Sequence, residues 1–232
     1  MKKILVLMVA LLLVAGTAMA TPIDLSTFSG SLADLITQTA QNGGGILQDK
    51  RFYDFTYIPS GTTLIPASAI TVTPLNVFLN PGFQFNAPWQ VSGANQFEDS
   101  FITFWVEVLS GGPPIGDISA KLTSARADGS GFLSFAEYVY LASDLNTPIQ
   151  STYVHYNGVA KTFDEELILP PTMGPIFVTK DIGLSTGSAG GTAAVSSVSN
   201  QFSEVPEPAT MLLLGSGLVG MAVYARRRFS KK

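Results

Sequence analysis

The chain has 232 residues, no cysteine, a single histidine and a net charge of −4. The missing cysteines exclude disulfides, thiolate metal sites and thiol nucleophiles, and one histidine cannot build a two-histidine motif such as H-E-x-x-H. The charge is unevenly spread: two of the 13 basic residues lie in the first 20 positions and five in the last seven, so residues 21–208 hold six basic residues against all 17 acidic ones, a net −11. So acidic a body excludes nucleic acid and argues against anionic lipid as its partner.

In chain order, Lys2 and Lys3 come first, then an apolar run from Ile4 to Val14 and small residues ending in Ala18-Met19-Ala20. This is the pattern of a Sec signal peptide spanning residues 1–20, with Ala18 and Ala20 as the small residues that signal peptidase reads. The apolar run is short for a membrane span.

Residues 21–204 are expected to form one exported domain, long enough to bury about 70% of its unfolded surface without disulfides. Ser31 followed by Asp34 reads as a helix start, and Gly43-Gly44-Gly45 as its stop. Beyond this the patterns have strand character. In GILQDKRFYDFTYI, Phe55 and Tyr57 fall on one face of a strand and Thr56 and Ile58 on the other. SAITVTP and FQFNAPWQV alternate, and in DSFITFWVEVL the residues Ile102, Phe104, Val106 and Val108 share a face. DISAKLT, GFLSFAEYVYL, STYVHY, EELILP, PIFVTKDIGL and TAAVSSVSNQF are further strands. About ten short strands separated by turn signals predict a mainly β fold, a single antiparallel β-sandwich with one short N-terminal helix.

Catalytic patterns are sparse. His155 in TYVHYNG is expected to be an exposed or hydrogen-bonded structural residue. Ser188 has Thr186 where a G-x-S-x-G elbow requires glycine. RADGSGFLSFAE, laid on a calcium loop, puts Asp128 at the third position and Glu137 at the twelfth, but Arg126 stands where the first carboxylate belongs. A turn at Asp128–Gly131 leading into a strand explains the same residues. Asp164-Glu165-Glu166 reads as a solvated turn, since adjacent strand residues point to opposite faces. Trp105 sits in the strongest strand and is expected in the core. Trp89 follows Pro88 nearer a strand edge and is the candidate for stacking on a sugar ring. Nothing in the chain requires a cofactor or a metal.

The last segment, residues 205–232, opens with Val205-Pro206-Glu207-Pro208. Residues 209–225 then run uncharged, and a helix of that length spans about 25 Å, a little under a hydrocarbon core of about 30 Å that thinning can accommodate. Arg226, Arg227, Arg228, Lys231 and Lys232 follow. Basic residues stay cytoplasmic, so the tail predicts a C-terminal membrane helix with the domain facing the periplasm. Gly215, Gly217 and Gly220 fit G-x-G-x-x-G, but only 12 residues remain beyond them and none is acidic. A dinucleotide site needs that acid, and here the glycines suit a thin membrane helix instead.

Val-Pro-Glu-Pro, apolar helix and arginine cluster, in that order at the C-terminus, resemble the PEP-CTERM sorting signal of Gram-negative bacteria. The resemblance implies that an exosortase recognises Pro206, Glu207 and Pro208, that Arg226, Arg227 and Arg228 are the cytoplasmic stop, and that the processed protein moves outward to the cell surface or beyond. The two prolines also hold the backbone extended, as a segment threaded into a protease must be. The body resembles a module that travels with such tails, in GGGILQDKRFYDFTY, PASAITVTPL, FNAPWQV and VSSVSNQFSEVPEP. That module implies no enzymatic activity. The expectation is an exported, non-enzymatic surface or extracellular-matrix protein, with signal peptidase, exosortase and membrane as partners during export. A carbohydrate-binding module of the exopolysaccharide layer is the alternative.

Overall fold

The computed structural model describes residues 20–205 except Met173, together with residues 216–218 and 221. Ala18, Pro206, Glu207, Pro208, Arg226, Arg227, Arg228 and most of the segment 209–225 lie outside the described residues. No helix among the described residues is long and apolar enough to cross a membrane.

The chain is mainly β. The strands are β1 (Ile23–Asp24), β2 (Gly30–Ser31), β3 (Gly45–Leu47), β4 (Lys50–Gly61), β5 (Thr71–Val77), β6 (Asn80–Gly93), β7 (Phe97–Val108), β8 (Ile115–Leu141), β9 (Gln150–Tyr156), β10 (Gly158–Thr172) and β11 (Ile176–Glu204). One helix, α1 (Leu32–Gln41), lies between β2 and β3. Its start is the capping box expected from the sequence: Ser31 Oγ accepts from the Asp34 backbone N–H, and the Asp34 carboxylate accepts from the Ser31 N–H. Gly43 and Gly44, at φ 66° and 111°, turn the chain out of it. Leu32, Leu35 and Thr39 are buried where the helix packs on β4.

The sandwich is built from one continuous hydrogen-bonded sheet folded onto itself. β8 and β11 pair antiparallel along nearly their whole length. The first half of β11 also pairs with β7 and its second half with β6, while β8 pairs with β10 along its first half and with β9 along its second. One layer therefore runs β3-β4-β7-β11-β8-β9 and the other β5-β6-β11-β8-β10, with both long strands shared. The sequence reads β8 and β11 as two strands each, because glycines interrupt their apolar patterns. Those glycines form a bend that keeps the pairing. The ladder shifts between Thr186 and Gly191, Gly129 and Gly190 hold φ 61° and 79°, and Ser130 Oγ donates to the Gly190 carbonyl. All pairings are antiparallel except β1 with β3.

Inward side chains of the two layers meet in an aromatic core. Phe52 of β4 meets Phe83 of β6 edge-on at 4.8 Å and Phe202 of β11 at 5.5 Å, and Phe104 of β7 lies 6.1 Å from Phe202. Pairs of this kind add about 0.5–1.5 kcal/mol each beyond the area they bury. A bulge at Asp54, φ 51°, shifts the β4 register so that Phe52 and Phe55 both face inward while Tyr53 faces out.

Trp89 belongs to this interior, which corrects its expected role as a sugar-stacking residue. Its side chain is fully buried, in line with Phe83, Phe85, Ala87 and Val91, and its indole N–H donates to Ser100 Oγ at 3.0 Å. Ser100 also touches Tyr57 Oη at 2.8 Å and Glu98 Oε1. Tyr57 Oη donates to the Ile65 carbonyl, and Ser100 Oγ donates to Glu98 Oε1. Burial pushes the Glu98 carboxyl up to about 7, with the Asp99 charge adding to the shift and the Ser100 bond opposing it. Glu98 Oε2 is buried without a partner, as a neutral acid can be at less cost than a carboxylate.

Two outcomes are expected. A Cβ at Gly131 would sit 2.0 Å from the Thr192 carbonyl oxygen, so Gly131→Ala should cost about 1–3 kcal/mol in chemical denaturation. Gly174→Ala, with nothing within 4 Å of its Cβ, should change stability by less than about 0.5 kcal/mol. Glu98 binds its proton more tightly folded, near 7, than unfolded, near 4.5. Its contribution to stability is therefore full below pH 4.5 and is lost as pH rises through about 7. Thermal unfolding between pH 5 and 8 should show this slope in wild type and a flatter profile in Glu98→Gln.

Candidate functional site

The outer face of the layer β4-β7-β11-β8-β9 collects the aromatic side chains that the core does not use. Strand register sets them in a row across four strands. Tyr53 is opposite Trp105, Trp105 opposite Phe177, and Phe177 opposite Tyr140. Ring centroids are 6.3 Å apart for Tyr53 and Trp105, which stack at 12°, 4.9 Å for Trp105 and Phe177, and 6.2 Å for Phe177 and Tyr140. Tyr138 continues the row along β8, 6.4 Å from Tyr140. All five are half-buried, so each packs against its neighbours and keeps part of its ring at the surface.

Trp105 is thus on the surface side of its strand, not in the core as its apolar character suggests. The alternation that turns Ile102, Phe104 and Val106 inward turns Trp105 outward. The two tryptophans have exchanged the places expected of them. The two-residue period that puts Ile102, Phe104 and Val106 on one face of the strand is the sequence signal that places Trp105 on the other.

Polar groups surround the row. At one end Arg51 lies 4.6 Å over the Tyr53 ring, pairs with Glu107 at 2.8 Å and donates through Nε to the Gly43 carbonyl, which holds Tyr53 from above. The next register carries Thr56 and Thr103, whose hydroxyls meet at 2.7 Å, and Thr179. Further along, Asp181 of β11 shares a hydrogen bond with Asp99 of β7, and Ser60 donates to Asp99. Burial first, then the bond to Asp99 and its charge, raise Asp181 to about 6. A second aromatic cluster closes the far side: exposed His155 has the Tyr153 ring at 4.1 Å and the Phe132 ring at 4.8 Å. The face offers ring surfaces, hydroxyls and a carboxylate pair.

The other motifs fall elsewhere. Asp128 pairs with Arg126 at the surface, 2.6 Å apart, whereas Glu137 is fully buried beside Lys180 and Asn200. They cannot share a cation. Asp164 lies within β10, paired with Lys121 rather than in a turn. Among the described residues no group of three or more His, Asp or Glu side chains could hold a metal.

β11 ends at Glu204, whose N–H donates to the Leu79 carbonyl, and the Val205 N–H donates to the Pro114 carbonyl. The last strand thus delivers the tail from one end of the sandwich, beside the β5–β6 turn. Residues 204–228 match the PEP-CTERM protein-sorting motif. The chain carries a PEP-CTERM sorting signal. That signal implies export and processing by an exosortase. No curated protein matches the chain. Similar solved structures include TmCBM61 in complex with β-1,4-galactotriose, 15% identical over 62% of this chain and 86% of that one, with a TM-score of 0.31. Another comes from a study of carbohydrate-binding modules of the β-sandwich superfamily, at 10% identity, 80% and 63% coverage and a TM-score of 0.31. A third is the isomalto-dextranase of Arthrobacter globiformis T6 complexed with panose, at 13% identity, 73% and 39% coverage and a TM-score of 0.34. At these TM-scores the likeness carries nothing about ligand or activity.

The PEP-CTERM motif gives a direct expectation. Intact mass and fractionation in the native host should show wild type shortened near Val205–Ala209 and outside the inner membrane. Pro206→Ala/Glu207→Ala/Pro208→Ala should stay full-length and membrane-bound. Wild type that keeps its whole tail in the membrane would make the segment a plain anchor.

Proposed function

We propose that this is a non-enzymatic protein, exported through its signal peptide with the domain facing the periplasm, that binds carbohydrate of the exopolysaccharide layer after exosortase processing. The observation that carries the reading is the row Tyr53, Trp105, Phe177 and Tyr140. Four rings set side by side across neighbouring strands make an extended platform. A sugar chain has apolar C–H faces that stack on such rings and hydroxyls that bond to groups at their rim. Here the rim supplies the exposed Thr56 hydroxyl and the Asp99–Asp181 pair. The opposite outer face supports the choice by contrast. Its β6 and β11 positions are Gln84, Asn86 and Gln90 beside Ser199, Gln201 and Ser203, an ordinary solvated sheet surface.

Affinity electrophoresis through gels containing the host's own exopolysaccharide tests the reading. Wild type should be retarded, and Trp105→Ala and Tyr140→Ala should each weaken retention about tenfold, or about 1.4 kcal/mol. Thr73→Ala, exposed on the opposite layer, should behave as wild type. Equal mobility of all variants, with the circular dichroism of each unchanged, would remove the face from the function.

A further inference from the structure

The turn between β5 and β6 is built of residues that a two-residue hairpin turn does not ordinarily use. Such turns favour Asn-Gly or Asp-Gly, yet here the loop is Phe78-Leu79, preceded by Val77. Leu79 holds φ 60°, a conformation that L-residues other than Asn and Asp adopt at a cost of about 1 kcal/mol or more. These side chains stay partly or largely open to water. Phe78 is 83% exposed, Val77 52% and Leu79 39%. Three consecutive apolar residues at a protruding tip mark a surface that meets something other than water.

We propose that this tip inserts into the membrane surface while the tail anchors the domain, giving the tethered protein a second point of contact with the lipid. The proposal rests on reading residues 209–225 as a membrane anchor. Its own support is the placement of the tip. The Leu79 carbonyl accepts from the Glu204 N–H at 3.1 Å, so the turn is fastened to the last residue of the last strand. Only Pro206, Glu207 and Pro208 separate Val205 from the uncharged tail segment. Fully extended, the four steps from Val205 to Ala209 reach about 13 Å. A domain held this closely has its tail-bearing end against the bilayer, and Val77, Phe78 and Leu79 stand beside the exit of the chain.

Charge at this end agrees with zwitterionic lipid as the partner. The acidic residues beside the tip are Asp49 and Glu204, and both are paired with the buried Lys50, at 2.7 and 2.6 Å. The neighbouring Gln48, Asn76 and Ser110 are uncharged. One lysine against two carboxylates leaves at most one net negative charge where the membrane would meet the domain. Insertion would remove the tip from water and set the orientation of the domain relative to the exosortase.

The absence of cysteine allows a clean test. The full chain is placed in vesicles of zwitterionic lipid carrying an environment-sensitive dye at Val77→Cys, at Ser216→Cys in the tail, or at Ser188→Cys in the bend midway along β11, far from the tail. The dyes at positions 77 and 216 should shift to the blue and lose emission to quencher-bearing lipid, while that at 188 should do neither. Adding Phe78→Asp should abolish the response at 77 and leave that at 216 intact. A response at 216 without one at 77 would overturn the proposal and keep the anchor. Protection of position 77 in host cells alone would then assign the tip to the sorting protease. A silent position 216 would overturn the anchor reading itself.

Discussion

The pairing of β8 with β11 is the constraint on which the rest of the molecule depends. A sandwich of two separate sheets is held together by side-chain packing alone. Here the two longest strands run through both layers, and the backbone ladder between them continues across the bend. The bend is possible because carbonyls and backbone approach more closely than any Cβ would allow at Gly131 and Gly191. Once the two strands fold back together, the faces they present are set. Val178, Ile182 and Leu184 from the first half of β11 turn toward the same interior as Val195, Val198 and Phe202 from the second. β4, β6 and β7 then add their phenylalanines to a space already defined.

That interior also holds charge. Lys180 pairs with Glu137 across adjacent strands of one layer, both fully buried, and Asn200 of the other layer donates to the second Glu137 oxygen at 2.7 Å. Burial lowers the Lys180 pKa, against which the Glu137 charge and hydrogen bond work. Desolvation makes such a pair a weak source of stability, and removing one partner alone would cost about 3–5 kcal/mol. What the arrangement supplies is discrimination. Asn200 meets Glu137 only when the two halves of the long hairpin lie at one offset, and a slipped register would leave a buried charge unmatched. Lys50, between Asp49 and Glu204, makes the same demand at the other end of β11.

Period-two patterning carried most of the fold. The capping box at Ser31, the paired faces of β4 and the inward set Ile102, Phe104 and Val106 could be read directly, since each depends on neighbours in sequence. Strand length could not. Gly129, Gly131, Gly187 and Gly190 look like loop residues in the chain, and only the partner strand shows that the ladder runs on through them. The tryptophans divide along the same line. Trp89 is one of five alternating residues, Phe83, Phe85, Ala87, Trp89 and Val91, and its inward direction is local information. That Trp105 meets Tyr53, Phe177 and Tyr140 depends on pairings with strands up to 72 positions distant, and the Asp54 bulge turns Tyr53 to the proper side. The sorting motif needed no structure, because it is recognised as a linear run of residues.

The two layers have similar interiors and unlike exteriors, and the difference is not one that packing requires. A solvated sheet face is stable with Ser, Thr, Gln and Asn, as the β6–β11 side shows. Placing Tyr53, Trp105, Phe177, Tyr140 and Tyr138 together on the other side leaves apolar ring surface in contact with water. Cross-strand ring contacts recover part of that cost, about 0.2–1 kcal/mol per pair, but a buried position would recover more. The same holds for Val77, Phe78 and Leu79, whose turn would be served better by asparagine and glycine. Both features are unfavourable for the isolated domain and separate in space, one across a strand face and one beside the exit of the tail. The two surroundings proposed for this protein, the membrane before processing and a polysaccharide layer after it, would each be met by one of these features.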